Sequence, residues 1–190
     1  MAKNLHQRLL DAASELFYSQ GIQATGIEAI VKHAGTNKMT LYKYFPSKQD
    51  LVIAFLRKRD TDFTQWFVEN INHKADLPKD KLLAIFEVIE EWMAIPAFRG
   101  CAFINATTEF PLEANPVHQL STEFYDKFKN YISGLAAECG IAQADNLAMQ
   151  ITLLVEGCIV SEQMKHHSGS THHARQAATI LIDTYLQQGG

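Results

Sequence analysis

The sequence predicts an all-α chain, a three-helix head followed by a larger helical body. Apolar residues recur at spacings of three and four from end to end, with no run that alternates apolar and polar as a half-buried strand does. The interruptions, HKADLP, IPAFRG, FPLEANP, ECG and HHSGSTHH, have the turn compositions that separate helices. Charge then divides the chain in two. Residues 1–60 hold nine Lys/Arg against five Asp/Glu and the rest hold eight against sixteen, on a chain of formal net charge −4. A basic head on an acidic body suggests a head that meets a polyanion and a body with another task, although ordinary solvated surface would look the same by charge alone.

In the first helix Leu5, Leu9, Ala12, Ala13, Leu16 and Phe17 share one face, and Gly21 ends it. Thr25 and Glu28 have the S/T-x-x-E spacing of a capping box, ahead of a short helix with Ile27, Ile30 and Val31 as its apolar stripe and Gly35 as its stop. The third helix starts near Asn37 or Lys38 after a very tight connection. Leu41 and Phe45 are its i, i+4 apolar pair, holding it against the two helices before it. Lys38, Thr40, Tyr42, Lys43 and Tyr44 remain outside, and Pro46 stops the helix. Ser47 to Asp50 repeats the capping pattern and opens a connector helix through Leu51, Phe55 and Leu56. The expected organisation is a head over residues 1–46, a connector over 47–60 and a body over 61–190. Body helices are expected over about 61–73, 79–94, 102–111, 117–139, 143–166 and 171–188.

Two short helices joined by a tight turn, the second exposing lysines, hydroxyls and tyrosines, have what a helix-turn-helix needs. The first helix braces and the second enters the major groove. Lysines neutralise phosphates and release counterions, hydroxyls bond phosphate oxygens, and side chains at the start of the helix reach base edges. Unsatisfied N–H groups at helix starts also attract phosphate, which makes Thr25 and Asn37 candidate contacts as well as caps. The alternative for Tyr42, Tyr44 and the lysines is packing and solvated surface.

Over residues 8–56 the stretch AASELFYSQGIQATGIEAIVKHAGTNKMTLYKYFPSKQDL, with its A-x-x-L-F, I-x-x-I, A-G and T-L-Y-x-Y-F-x-S-K elements, resembles the DNA-binding domain of the TetR family of bacterial transcriptional regulators. The resemblance implies DNA contacts by Thr25, Lys38, Thr40, Tyr42, Tyr44 and Lys48, with Lys43 close by. The chain departs from the family pattern at Thr36, at Asn37, which still suits a cap, and at Met39, which adds apolar bulk to a base-facing turn. The implied fold is an all-α one: a helix-turn-helix head on a helical domain that binds a small-molecule effector and dimerises through its last two helices. The implied function is a ligand-responsive regulator, most often a repressor, that binds a palindrome in double-stranded DNA as a homodimer.

Two apolar stripes suit those last helices: Leu147, Ile151, Leu154, Val155, Cys158 and Ile159 on one, and Ala177, Ala178, Leu181, Ile182, Tyr185 and Leu186 on the other, each of which would serve equally as core within one chain. The candidate effector lining is Phe86, Trp92, Phe103, Phe110 and Phe124, with Met93, Phe98, Phe128 and Met149 beside them. Asn105, Glu109 and His118 are the candidate polar anchors. The aromatics also suit plain core. Cys101 follows Arg99, whose charge favours thiolate, and is the candidate redox sensor; a buried inert thiol is the other reading. Cys139 and Cys158 suit packing, and three scattered cysteines without C-x-x-C indicate neither a disulfide framework nor zinc. His166, His167, His172 and His173 lie in a loop composition with no cysteine or carboxylate cluster beside them, so no metal is expected. Neither G-x-S-x-G, nor H-E-x-x-H, nor a phosphate-cradling glycine loop is present, and an enzyme is not expected, nor a cofactor. The rival to a regulator is a helical small-molecule-binding protein or enzyme that does not use its head on DNA. The amino-terminal MAKNLHQRLL lacks a signal peptide's apolar centre, and no apolar run reaches membrane-spanning length, so a cytoplasmic location is expected.

Overall fold

A computed structural model describes residues 4–188, and among them it contains nine α-helices and no strand. They are α1 Leu5–Gln20, α2 Ile27–His33, α3 Lys38–Tyr44, α4 Lys48–Lys74, α5 Pro78–Met93, α6 Ala102–Glu109, α7 Pro116–Glu138, α8 Ala144–Met164 and α9 Ser170–Gln188. The chain divides into two compact units. One holds α1 to α3, α4 as far as Asp62, and Cys101–Glu123; the other holds Phe63–Gly100 and the chain from Phe124 onward. α6 and the start of α7 therefore group with the head, a division that the expected body over residues 61–190 did not contain.

In the first unit, α1 buries Leu9, Ala13, Leu16 and Phe17 and ends at Gly21, whose φ of 91° suits a residue without Cβ. The expected capping box does not form. α2 is capped by Gly26 with no side-chain hydrogen bond. The Thr25 hydroxyl instead turns inward, donating its one proton to the Gly21 carbonyl at 2.7 Å, with the Leu16 carbonyl a longer second acceptor at 3.3 Å. Thr25→Val keeps the shape and removes the donation. It should lower stability by about 1–2 kcal/mol in thermal denaturation.

The cap expected for α3 is present: the Asn37 side chain accepts from the Thr40 N–H at 2.9 Å. Arg8 donates to the Ala34 carbonyl at 2.6 Å and so ties α1 to the turn between α2 and α3. At the start of α4, the Ser47 hydroxyl accepts from the Asp50 N–H at 3.1 Å and donates to the Asp50 carboxylate at 2.6 Å. The expected break after residue 60 is absent. α4 contains neither Gly nor Pro over its 27 residues, so nothing interrupts its hydrogen-bond ladder.

In the second unit α5, α8 and α9 pack on one another. Leu82, Ile85, Ile89, Leu147, Ile151, Val155, Ala178 and Ile182 are buried among them. Most of the α8 stripe expected to pair subunits is thus spent on this chain's own core, whereas on α9 only Ala178 and Ile182 of the expected stripe are buried. A different apolar row faces outward: Met149, Leu153, Val160 and Met164 on α8 and Ile180 on α9. The histidine-rich turn between α8 and α9 is organised by Glu162, whose carboxylate accepts from the backbone N–H groups of His167 and Ser168 at 2.7 and 2.9 Å. Among the described residues no group of three or more His, Cys, Asp or Glu is placed to hold a metal ion.

Candidate nucleic-acid interface

Of the seven residues of α3 only Leu41 is buried. At 3.6 residues per turn, Met39 and Lys43 each lie about 160° around the helix from Leu41, one on either side of the point opposite the packed face. Met39 is 81% exposed, Tyr42 46% and Tyr44 41%. Thr40 is partly exposed and flanks this edge, while Asn37 and Lys38 are exposed at its start. Tyr44 is set by an edge-on contact with His6, ring centroids 5.8 Å apart, and His6 in turn stacks on Phe45 at 4.8 Å.

The cations are not equivalent. Lys38 pairs with Glu28 of α2 at 2.5 Å, and its hydrogen bond to that carboxylate raises the lysine's pKa above its ordinary value. Its charge is therefore partly neutralised at the surface. Lys43 is exposed on the outer edge. Lys48 is half-buried and donates to the Gln23 carbonyl at 3.3 Å. Burial pushes its pKa down, offset in part by the charge of Glu109. An ammonium carries three protons, so Lys48 keeps donors for a phosphate while held to the turn. Thr25 departs from expectation. It is 1% exposed and its hydroxyl is engaged inside the head, which removes that side chain from a phosphate-facing role. The remaining candidates, Asn37, Lys38, Met39, Thr40, Tyr42, Lys43 and Tyr44, come from one continuous turn and helix.

Glu109 proves to have a role that the sequence did not signal. Expected as an effector anchor, it instead accepts from the backbone N–H groups of Ile22 at 3.0 Å and Gln23 at 2.5 Å. The last residue of α6 thereby holds the N–H side of the turn between α1 and α2, while Lys48 holds the Gln23 carbonyl. A Cβ on Gly21 would sit 3.5 Å from the same carboxylate. His118, another of the candidate polar anchors, donates from Nδ1 to the Phe110 carbonyl at 2.9 Å.

The remaining effector candidates divide between the units. Phe103, Asn105 and Phe110 lie in the first, whereas Phe86, Trp92 and Phe124 lie in the second. In the second unit Trp92 and Phe124 both meet Phe63, with ring centroids 5.1 and 5.9 Å away, and Phe63 also stacks on Phe67 at 5.5 Å. Phe63 is the hub of this aromatic cluster and was missed because the sequence placed it just inside a separate helix. Its i, i+4 relation to Phe67 was the available signal. Phe86 is buried core. Cys101 is half-buried at the cap position of α6, its side chain making no cap hydrogen bond. Burial raises the thiol pKa of Cys139 and Cys158, which suits inert packing.

A capped, outward-facing α3 braced by α1 and α2 defines the class: a helix-turn-helix DNA-binding protein with a helical body. Residues 9–55 match the family model described as bacterial regulatory proteins, tetR family, and residues 78–178 match the tetracyclin repressor-like C-terminal domain. The chain belongs to the TetR family of transcriptional regulators. It is 25% identical over 183 residues to the HTH-type transcriptional regulator YjdC of Escherichia coli (strain K12), covering 96% of each chain. With the HTH-type transcriptional regulator AcrR of Shigella flexneri it shares 24% identity over 97% of this chain and 91% of the relative. The crystal structure of a TetR-family transcriptional regulator from Streptomyces coelicolor superimposes with a TM-score of 0.84 at 25% identity, covering 97% of this chain and 95% of that one. Among the described residues no helix is long and apolar enough to cross a membrane.

Proposed function

We propose that this regulator is a cytoplasmic homodimeric repressor that binds a palindromic operator through α3 and releases it when a small molecule occupies the helical body. The observation that carries the DNA-reading part is α3 itself: one buried leucine and an otherwise outward surface of Asn37, Lys38, Met39, Thr40, Tyr42, Lys43 and Tyr44. Dimerisation is supported by the outward apolar row on α8 and α9, where Leu153 is 57% and Ile180 68% exposed. Two-fold pairing would present two heads to half-sites about one helical turn apart, roughly 34–36 Å.

Release requires an effector that binds one conformation better than the other. α6 is suited to carry that difference, since it bears Phe103 and Asn105 and ends in the carboxylate that grips the turn before α2. A shift of α6 along its axis would pull on the Ile22 and Gln23 amides. Changing α2 at its base changes the presentation of α3.

The test is selection of bound duplexes from a random pool, followed by titration of the winner at several salt concentrations. A palindrome bound by two chains, with affinity falling steeply in salt, is the expected result. No enriched sequence even at low salt would instead favour a helical small-molecule-binding protein. Tyr42→Ala should weaken binding to the selected duplex about tenfold while leaving the melting temperature unchanged, because Tyr42 is exposed and contributes little to the core. Lys48→Ala should weaken it too and lower the salt slope by about one.

A further inference from the structure

We propose that Met39 is a specificity-determining residue that reads the 5-methyl group of a thymine in each half-site. This rests on α3 being the recognition helix. Three observations carry it. Met39 is 81% exposed, an unusual position for a large apolar side chain on a polar surface. It lies on the edge of α3 opposite buried Leu41, the edge that reaches deepest when the helix enters a groove with its packed face outward. Its neighbour Lys38 is drawn back onto Glu28 of α2, so the cation next to it is engaged by the protein rather than presented alone.

The chemistry of the groove then decides what Met39 can recognise. A thioether chain offers no donor and only a weak acceptor, so it cannot form the bidentate pairs that pick out guanine or adenine. The one apolar feature in the major groove is the thymine methyl. A flexible, polarizable chain that would otherwise stand in water gains by covering that methyl, and loses by lying against the polar edges of a G·C pair. Lys43 shares the same edge one turn on and carries the charge that Met39 lacks. The two residues divide the edge into an apolar and a cationic reader.

The experiment replaces each thymine of the selected operator half-site in turn by deoxyuridine, which removes only the methyl, symmetrically in both half-sites. Affinity is measured by fluorescence anisotropy at fixed salt for the full-length wild type and for Met39→Ala. One position should cost the wild type about fourfold per half-site, from the burial worth of one carbon, and should cost Met39→Ala almost nothing. Every other thymine should affect the two proteins equally. Met39 is outside the core, so the variant should melt as the wild type does. If no position loses its methyl dependence in Met39→Ala, or if the half-sites that the wild type selects have no thymine, Met39 does not read a methyl although the chain reads DNA. If the wild type selects no duplex at all, the recognition role of α3 fails first and this reading falls with it.

Discussion

Leu153→Glu is expected to split the proposed dimer into monomers and to lower operator affinity by about a hundredfold or more. Leu153 is 57% exposed on the outward row of α8, between Met149 and Val160, with Met164 further along at 84%. Spacings of four and seven put these side chains on one stripe. A stripe this apolar is a poor surface to leave in water and a good one to bury against its own copy across a two-fold axis. A carboxylate at its centre would have to be desolvated twice, once from each subunit, and the two charges would oppose each other. Each released head would then bind its half-site independently, losing the high effective concentration that linkage gives the second one. Sedimentation or light scattering should report one chain where the wild type reports two. Affinity for an isolated half-site should stay nearly unchanged. A variant that remains dimeric would place the subunit contact elsewhere on the chain.

The head was legible because its signals are local. Asn37, Ser47 and Asp50 cap within three residues of themselves, and Leu41 with Phe45 marks the packed face of α3 by spacing alone. Thr25 shows how such a signal misleads. Its spacing to Glu28 satisfied a capping box, but the Gly21 carbonyl lies within reach and the hydroxyl went there. α4 was divided because a domain boundary was expected near residue 60, although no residue there breaks a helix. The stripes of α8 and α9 were read correctly as apolar, but periodicity cannot say whether a stripe is buried by its own chain or by another. Here Leu147 and Ile151 went inward and Leu153 stayed out. Glu109 was out of reach for a simpler reason. Its partners are the backbone amides of Ile22 and Gln23, separated from it by 87 and 86 positions, and a backbone amide leaves no mark in a sequence.

That long-range grip leads to the second large effect. Glu109→Ala should destabilise the head by about 1–3 kcal/mol and weaken operator binding by about tenfold or more. Hydrogen bonds to a charged acceptor are stronger than neutral ones, but the Gln23 amide lies at an exposed site, so solvent will replace part of what is lost. The variant also takes away the carboxylate that partly offsets the burial of Lys48, leaving that ammonium beside the Gln23 carbonyl alone. With both side-chain supports of the turn weakened, α2 and α3 would sample more orientations, and the entropy lost on docking would rise. Amide hydrogen exchange is the direct readout. Protection at Ile22 and Gln23 should fall at least about tenfold, while amides in α8 and α9 exchange as before. Glu109→Gln discriminates a carboxylate grip from mere packing. Its carbonyl can serve one amide, but its NH2 group would face the other N–H, donor against donor, so the loss should be intermediate. If Glu109→Gln behaves as the wild type in exchange and in operator titration, side-chain volume rather than paired acceptance holds the turn, and α6 needs another route to α2.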